Sequence, residues 1–427
     1  MERSRERIGK LDTEEMRAHL SMLYGRDEKT LQAQKERYAG LIAAHAEAFG
    51  EKENLCLFSA PGRTEIGGNH TDHNRGRVLA ASVNLDTLCA ASPREDGIVC
   101  FQSEGYDPIE VDLADTEVHP EEEGTTAALI RGVADGMKRA GRKIGGFDAK
   151  VTSTVASGSG LSSSAALEVM LTAVFDGLYN DFSMPFPQRA QISRRAENLY
   201  FGKPSGLLDQ MASAAGGLVT VDFAEDSDPK VEALQYDFAA KGYALVVVGT
   251  GGSHADLTDH YAAIPAEMKA VAACFEQDVL RGLTEEDLMR EIARLRVAVS
   301  DRALMRAFHF IAENDRVPRQ VAALREDRIG DFLDLIVESG RSSYMYLQNI
   351  YATNDDQSLS LALCMAEALL KGKGAWRIHG GGFAGTTLNF VPLEDLENFT
   401  KLMNRAFGKD ACHVLNIRPV GADRILL

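Results

Sequence analysis

Ala156-Ser157-Gly158-Ser159-Gly160-Leu161-Ser162-Ser163-Ser164-Ala165-Ala166-Leu167-Glu168 is a Gly/Ser-rich loop that runs directly into an apolar helical stretch. Glycines let a backbone approach a ligand closely, hydroxyls add donors, and a helix start offers unpaired N–H groups with about half a positive charge. That combination suits a polyphosphate. No G-x-x-x-x-G-K-[ST] occurs in the chain, and the spacing is not the dinucleotide pattern G-x-G-x-x-G. A flexible turn with a serine cap is the plainer alternative, but six Gly/Ser among the seven residues before Ala165 exceed what a cap requires.

Upstream, Ala60-Pro61-Gly62-Arg63-Thr64-Glu65-Ile66-Gly67-Gly68-Asn69-His70-Thr71-Asp72-His73-Asn74 follows an apolar strand-like run. Arg63, Asn69, His70, Asp72 and His73 supply donors and acceptors for a polyhydroxylated ligand. A metal at His70, Asp72 and His73 is the other chemical reading, though the spacing fits no zinc pattern and no cysteine is near. A solvated loop is the plain one. Downstream, Ala196-Glu197-Asn198-Leu199-Tyr200-Phe201-Gly202-Lys203-Pro204-Ser205-Gly206-Leu207-Leu208-Asp209-Gln210 reads as a helix end, a Gly/Pro loop and a new start. Asp209 is an N-cap on that reading alone. Lys203 reads equally as a solvated charge or a ligand contact.

Around these segments the pattern divides the chain. Residues 12–24 and 27–49 carry helix-type spacing, making 1–50 a helical extension that acts as a cap or an oligomer contact. Residues 51–230 are β-rich at first, with strands near 55–58, 78–81, 98–101 and 147–151 and one helix near 125–140. Helices at 162–179 and 187–200 and a strand at 217–223 complete this half. An acidic, Pro-containing stretch at 224–230 marks a boundary. Residues 231–427 open with a strand at 243–248, pass through helices between 265 and 371, and close with strands at 375–379, 386–391 and 413–417 around a helix at 393–407. Two α+β domains sharing a cleft fit this order better than one doubly wound sheet.

With 46 Lys+Arg against 63 Asp+Glu in 427 residues, the net charge of −17 repels nucleic acid and anionic lipid. It does not exclude a small anion held by directed N–H groups. The six scattered cysteines form no C-x-x-C and read as reduced, buried small hydrophobes. No stretch approaches the ~20 apolar residues of a membrane span, and the charged start is not a signal segment, which together point to the cytoplasm. His379-Gly380-Gly381-Gly382-Phe383-Ala384-Gly385 is similar to a lipase oxyanion loop, but no G-x-S-x-G accompanies it. Val248-Gly249-Thr250-Gly251-Gly252 reads as a turn.

Taken together, the segments resemble the signature motifs of the GHMP kinase superfamily, most closely its galactokinase branch. Pro61-Gly62-Arg63, Gly68, His70-Thr71-Asp72 and Asn74 match a signature of the form P-G-R-V-N-L-I-G-E-H-T-D-Y-N. Gly160–Ala166 matches the phosphate loop P-x-x-x-G-L-S-S-S-A-A, with Ala156 in place of proline. Gly206–Gln210 is similar to G-I-M-D-Q, and 380–385 to G-G-G-F-G-G. The resemblance spans residues 55 to 427. It implies a ribosomal protein S5 domain 2-like N-terminal domain, a ferredoxin-like C-terminal domain, and an active site between them.

It further implies ATP-dependent phosphorylation of a sugar at its anomeric hydroxyl. In that scheme Asp209 and Arg63 are catalytic. Asn69, His70, Asp72, Gly206 and Tyr261 meet the sugar. Gly158, Ser159, Gly160, Leu161, Ser162, Ser163 and Ser164 hold the ATP phosphates, and Ser164 with Glu197 holds Mg2+. Partners are the sugar and ATP alone, with no nucleic acid and no membrane, in a monomer or weak homo-oligomer. Asn69 stands where the pattern has Glu, which touches substrate choice, because an amide donates as well as accepts. Galactose leads. Galacturonate, arabinose or N-acetylgalactosamine are the sister substrates, and a catalytically silent sugar and ATP sensor is the alternative of another class.

Overall fold

The computed structural model describes residues 2–155, 160–225, 228–251, 257–353, 355–383 and 385–425. Gly158 and Ser159 of the expected phosphate loop, with Ala156, Gly252 and Ala384 of the quoted motifs, lie outside the described residues. The strands in chain order are β1 (Cys56–Gly67), β2 (Arg77–Pro93), β3 (Ile98–Ser103), β4 (Ile109–Asp112), β5 (Phe147–Ser153), β6 (Leu218–Asp222), β7 (Lys230–Leu234), β8 (Tyr243–Gly249), β9 (Ala375–His379), β10 (Thr386–Pro392), β11 (Cys412–Leu415) and β12 (Asp423–Ile425).

The first sheet has the order β12-β1-β2-β5-β3-β4, with β6 paired to β2 and β7 to β6. Its strand alternation places two cores on two faces. Phe58, Cys89 and Ala91 meet helices Thr126–Arg139, Ser163–Tyr179, Phe186–Ala196 and Leu208–Ala215. Their strand neighbours Leu57, Leu88 and Ala90 face the opposite way, against Leu20, Leu23, Tyr24, Tyr38, Leu41 and Ile42. The first fifty residues are therefore three helices (Glu2–Lys10, Glu14–Tyr24 and Glu28–Phe49) that cover the outer face of this sheet. They are a layer of the fold and not a detached cap. Arg37 and Tyr24 reach through this layer to the buried Asp86, each at 2.5 Å.

The second sheet runs β11-β8-β10-β9, all antiparallel. In chain order that is 4-1-3-2 with helices between the first two and the last two strands, the ferredoxin-like βαββαβ arrangement expected. Leu245, Val247, Leu388 and Phe390 face the first half of the chain and share one core with Ile66, Leu79, Ala81 and Leu161. On the other face, Ala244, Val246 and Val248 pack on helices Ser358–Leu370 and Leu396–Phe407.

Two strands depart from the chain-order division. β7 continues past residue 230 in the first sheet, and β12 brings the C-terminal residues back to pair with β1 through Leu57↔Ile425. The cysteine expectation also needs correction. All six are free, but among them only Cys89 is buried, and Cys364 is exposed.

Candidate active site

Arg63 sits in β1 between two irregularities of register with β2, at Pro61/Arg63 and at Glu65/Gly67. Bulges of this kind re-aim side chains. Between them Arg63, Thr64 and Glu65 stay in register with Ser82, Ala81 and Ala80, so Arg63 and Glu65 project from the same face. Arg63 forms a bidentate pair with Asp209, Nε to Oδ1 at 2.7 Å and Nη2 to Oδ2 at 2.9 Å, and donates Nη1 to the Gly160 carbonyl at 2.7 Å. One arginine thus ties all three motifs together.

Asp209 lies in the first turn of helix Leu208–Ala215, whose N-cap is Leu207, so the capping role is not the one it plays. Besides Arg63 it accepts a hydrogen bond from Ser162 Oγ. Burial pushes its carboxyl up, but Arg63 and Ser162 outweigh burial and hold it at about 2. It is ionised at neutral pH, and one-third of its side chain is exposed.

Ser162 adopts φ +58° at the N-cap of helix Ser163–Tyr179 and makes no side-chain cap bond. A non-glycine residue in this region costs about 1–3 kcal/mol, and here the geometry turns the hydroxyl onto Asp209. Gly160 has φ +72°, and a Cβ there would lie 2.3 Å from Thr386 Oγ1 of β10. Glycine is what lets the phosphate loop touch the second sheet. Leu161 is buried, and its carbonyl accepts from Arg63 N. Ser163 and Ser164 open the helix, whose first N–H groups have no intrahelical partner.

Ser164 Oγ meets Glu197 Oε1 at 3.3 Å, joining the two expected metal ligands. Glu197 is buried where helix Phe186–Ala196 widens into a π turn, Glu197–Phe201. Lys203 Nζ lies 2.7 Å from the same Oε1, and Gln210 Nε2 bridges Oε2 of Glu197 and Oε2 of Glu168 at 2.8 and 2.9 Å. Glu168, four residues beyond Ser164 on the helix, is fully buried. Burial and the neighbouring Glu197 push its carboxyl well above the usual range. Ser164 Oγ and the Glu197 carboxylate are hard oxygen donors of the kind a magnesium ion takes, so the two residues fit that ion.

On the sugar side the 380–383 glycine loop is the hub. Its carbonyls accept from Asn69 Nδ2 at Gly380 (2.8 Å), His70 Nε2 at Gly381 (3.0 Å) and Tyr261 OH at Gly382 (2.8 Å). Asp72 reaches the third motif, because a Cβ on Gly206 would lie 1.7 Å from Asp72 Oδ2. Burial, reinforced by His73, pulls His70 down to about 4, so it is neutral at pH 7.

Asn69 is the departure from expectation. It is 0% exposed, and its amide makes four hydrogen bonds: Nδ2 to Gly380 O and Glu65 Oε1 (2.9 Å), Oδ1 from Ser343 Oγ (3.1 Å) and Asn349 Nδ2 (3.0 Å). Four is the capacity of an amide, so it has nothing left for a sugar. Relative to the signature pattern, the residue types at 65 and 69 are exchanged, and the two side chains touch. Sequence reasoning left Glu65 without a role. The signal was there, in paired departures four residues apart. It also missed Arg377, Glu168 and Gln210, which touch the expected residues only through tertiary packing.

Residues 43–93 match the galactokinase galactose-binding signature, and residues 128–217 match the GHMP kinases N terminal domain. The chain is 32% identical over 398 residues to a Streptomyces coelicolor galactokinase, covering 92% of this chain and 100% of that protein. It is 31% identical to the human galactokinase, covering 90% of this chain and 95% of that protein. Among solved structures, a Lactococcus lactis galactokinase complexed with galactose superposes with a TM-score of 0.79 at 25% identity, over 91% of this chain and 99% of that one. A Methanococcus jannaschii mevalonate kinase shares the fold, with a TM-score of 0.61 at 13% identity over 86% of this chain and 99% of that one. With its signature residues assembled at one site and a 32% identical relative matched along its whole length, the chain belongs to the galactokinase family of GHMP kinases.

Proposed function

We propose that the protein transfers the terminal phosphoryl group of ATP to the anomeric hydroxyl of a galactose-type sugar, yielding sugar 1-phosphate and ADP. The observation that carries this reading is the Arg63 side chain held between Asp209 and the Gly160 carbonyl, beside the start of helix Ser163–Tyr179. Phosphoryl transfer depends on in-line positioning and charge stabilisation more than on covalent chemistry.

The sugar lies on the Asp72, His70, Gly206 and Tyr261 side, and the triphosphate lies on the helix start, with 158–164 as its cradle. The new bond joins the sugar oxygen to phosphorus as the bond to the ADP oxygen breaks. Asp209, ionised and a weak base, receives a hydrogen bond from the sugar hydroxyl, aims its lone pair, and takes the proton late, as the bond to phosphorus forms and makes that proton acidic. The Arg63 guanidinium stands beside the developing charge. Ser164 and Glu197 would hold Mg2+, which when bound neutralises triphosphate charge. Among the described residues no helix is long and apolar enough to cross a membrane. A cytoplasmic setting, a monomer or weak homo-oligomer, and a domain division near residue 230 belong to the same reading.

The test is ADP release by the purified full chain with ATP and Mg2+ against galactose, galacturonate, arabinose and N-acetylgalactosamine, with the product position read by 31P NMR. Galactose is expected to give the highest turnover and a 1-phosphate. Asp209→Asn should lower turnover by about 1,000-fold while ATP affinity stays within a few-fold. Near-normal turnover in that variant, or no ADP with any aldose, overturns the reading, the latter in favour of a sugar and ATP sensor.

A further inference from the structure

Glu65 and Asn69 form a buried pair at the junction of β1 with the glycine loop, and only one of them has capacity left for a ligand. Glu65 Oε1 is held by Arg377 Nη2 at 2.7 Å and by Asn69 Nδ2 at 2.9 Å. Glu65 N donates to His379 Nε2 at 3.2 Å, which anchors the backbone to β9. Oε2 has no hydrogen-bond partner among the described residues, and the side chain keeps 5% exposure. Glu65 shares a strand face with Arg63, and both Arg63 and its partner Asp209 act on the Glu65 carboxyl, which puts it beside the Arg63–Asp209 pair. Asn69, with all four positions used, cannot turn toward a ligand without stripping Gly380, Ser343 and Asn349 of their partners.

We propose that Glu65 is the specificity-determining carboxylate of the sugar subsite, its Oε2 accepting a hydrogen bond from a sugar hydroxyl, and that Asn69 is a positioning residue that holds Oε1 and leaves Oε2 open. This rests on the sugar-kinase reading above and assigns one contact within it. Arg377 serves the same end from the second sheet. Its Nη1 is fixed on the Ile66 carbonyl at 2.6 Å, so the carboxylate it grips has a set orientation. A carboxyl oxygen left open while two donors hold its partner oxygen accepts from a sugar hydroxyl and disfavours an anionic group at that point of the sugar.

The experiment uses the full-length protein with galactose and its 2-, 3-, 4- and 6-deoxy analogues, measuring KM for each sugar and for ATP. The wild type should reject one deoxy sugar by about 10- to 100-fold, the scale of one hydrogen bond to a charged group. Glu65→Gln should raise the galactose KM by a similar factor, leave the ATP KM unchanged and lose discrimination at that position. A folded Glu65→Gln that keeps the wild-type deoxy-sugar profile overturns the proposal. Where that variant fails to fold, the exchange variant E65N/N69E decides, since it keeps one carboxylate and one amide in contact. A shifted deoxy-sugar profile supports the assignment, and an unchanged profile overturns it. A wild type inactive on every sugar counts against the kinase reading and not against Glu65 in particular.

Discussion

The two ends of the cleft are built on opposite principles. At the sugar end, Asn69 uses every donor and acceptor it has, and His70, Tyr261 and Asn349 join it in capping the glycine-loop carbonyls. At the phosphate end, Glu168 Oε1 and Gln210 Oε1 are buried without a partner among the described residues, and two buried carboxylates share one amide donor. The first region spends most of its hydrogen-bonding capacity within the fold, with Glu65 Oε2 and Asn349 Oδ1 left open among the described residues, and supplies rigidity. The second keeps buried oxygens unpartnered beside the Lys203–Glu197 ion pair, and gains from the arrival of a cation. A neutral sugar needs a preformed set of hydrogen bonds, whereas a metal-bound triphosphate needs charge held ready.

Substitutions on the two sides should separate accordingly. After Asp209→Asn, the largest effect is expected from Glu197→Gln, with turnover falling by roughly 100-fold. Removing one of two clustered carboxylates also relieves repulsion, so the thermal midpoint should hold or rise. A marked drop in the midpoint, seen by calorimetry, would erase the contrast between the two ends. Asn69→Ala should do the reverse. Stripping the partners of Gly380 O, Ser343 and Asn349 in the interior should cost about 3 kcal/mol, measured by denaturant unfolding. A neutral outcome would mean that the sugar end is not held by this amide.

The smallest effect is on pH dependence. Burial raises the Glu65 carboxyl from its ordinary 4.5 to about 7, against the opposing pull of Arg377, Arg63 and Asn69 and with Asp209 adding to the rise. The folded state then binds this proton more tightly than the unfolded chain. Its contribution is fully present below pH 4.5 and is lost as pH rises through about 7. Asp209 and Glu313, both held at about 2, act in the other sense. Their stabilisation is present above pH 4.5 and is lost as pH falls through about 2. The buried neutral histidines, His45 and His70 among them at about 4, make unfolding free energy rise from pH 4.5 to 7.5, and Glu65 should make that rise shallower in the wild type than in Glu65→Gln. An identical slope in both proteins would remove Glu65 as a contributor.

Local signals made much of this molecule legible. The Gly/Ser loop and apolar helix from 160 to 179 announce an anion cradle through residue type and spacing alone, because helix N-termini and glycine loops act through their own backbone. The strands with apolar or alternating runs appear near their expected positions for the same reason. The strands not anticipated are short and polar in part, such as Lys230-Val231-Glu232-Ala233-Leu234 and Asp423-Arg424-Ile425. The second exists because Leu57 pairs with Ile425, a separation that leaves no local trace, whereas the first pairs with nearby β6 through Asp222↔Lys230 and is masked by its own polar residues.

The division of the active site follows the same rule. Arg63, Ser162, Ser164, Glu197 and Asp209 could be nominated from motifs, since their chemistry is written in residue type and order. Which side chains still have a free oxygen could not. Asn69 looks available in the sequence, and only the convergence of Glu65, Gly380, Ser343 and Asn349, up to 311 residues away, shows it to be fully used. A sequence states how many hydrogen bonds a side chain is able to make, whereas tertiary packing decides how many remain, because burial compels each polar group to find its partners within the fold.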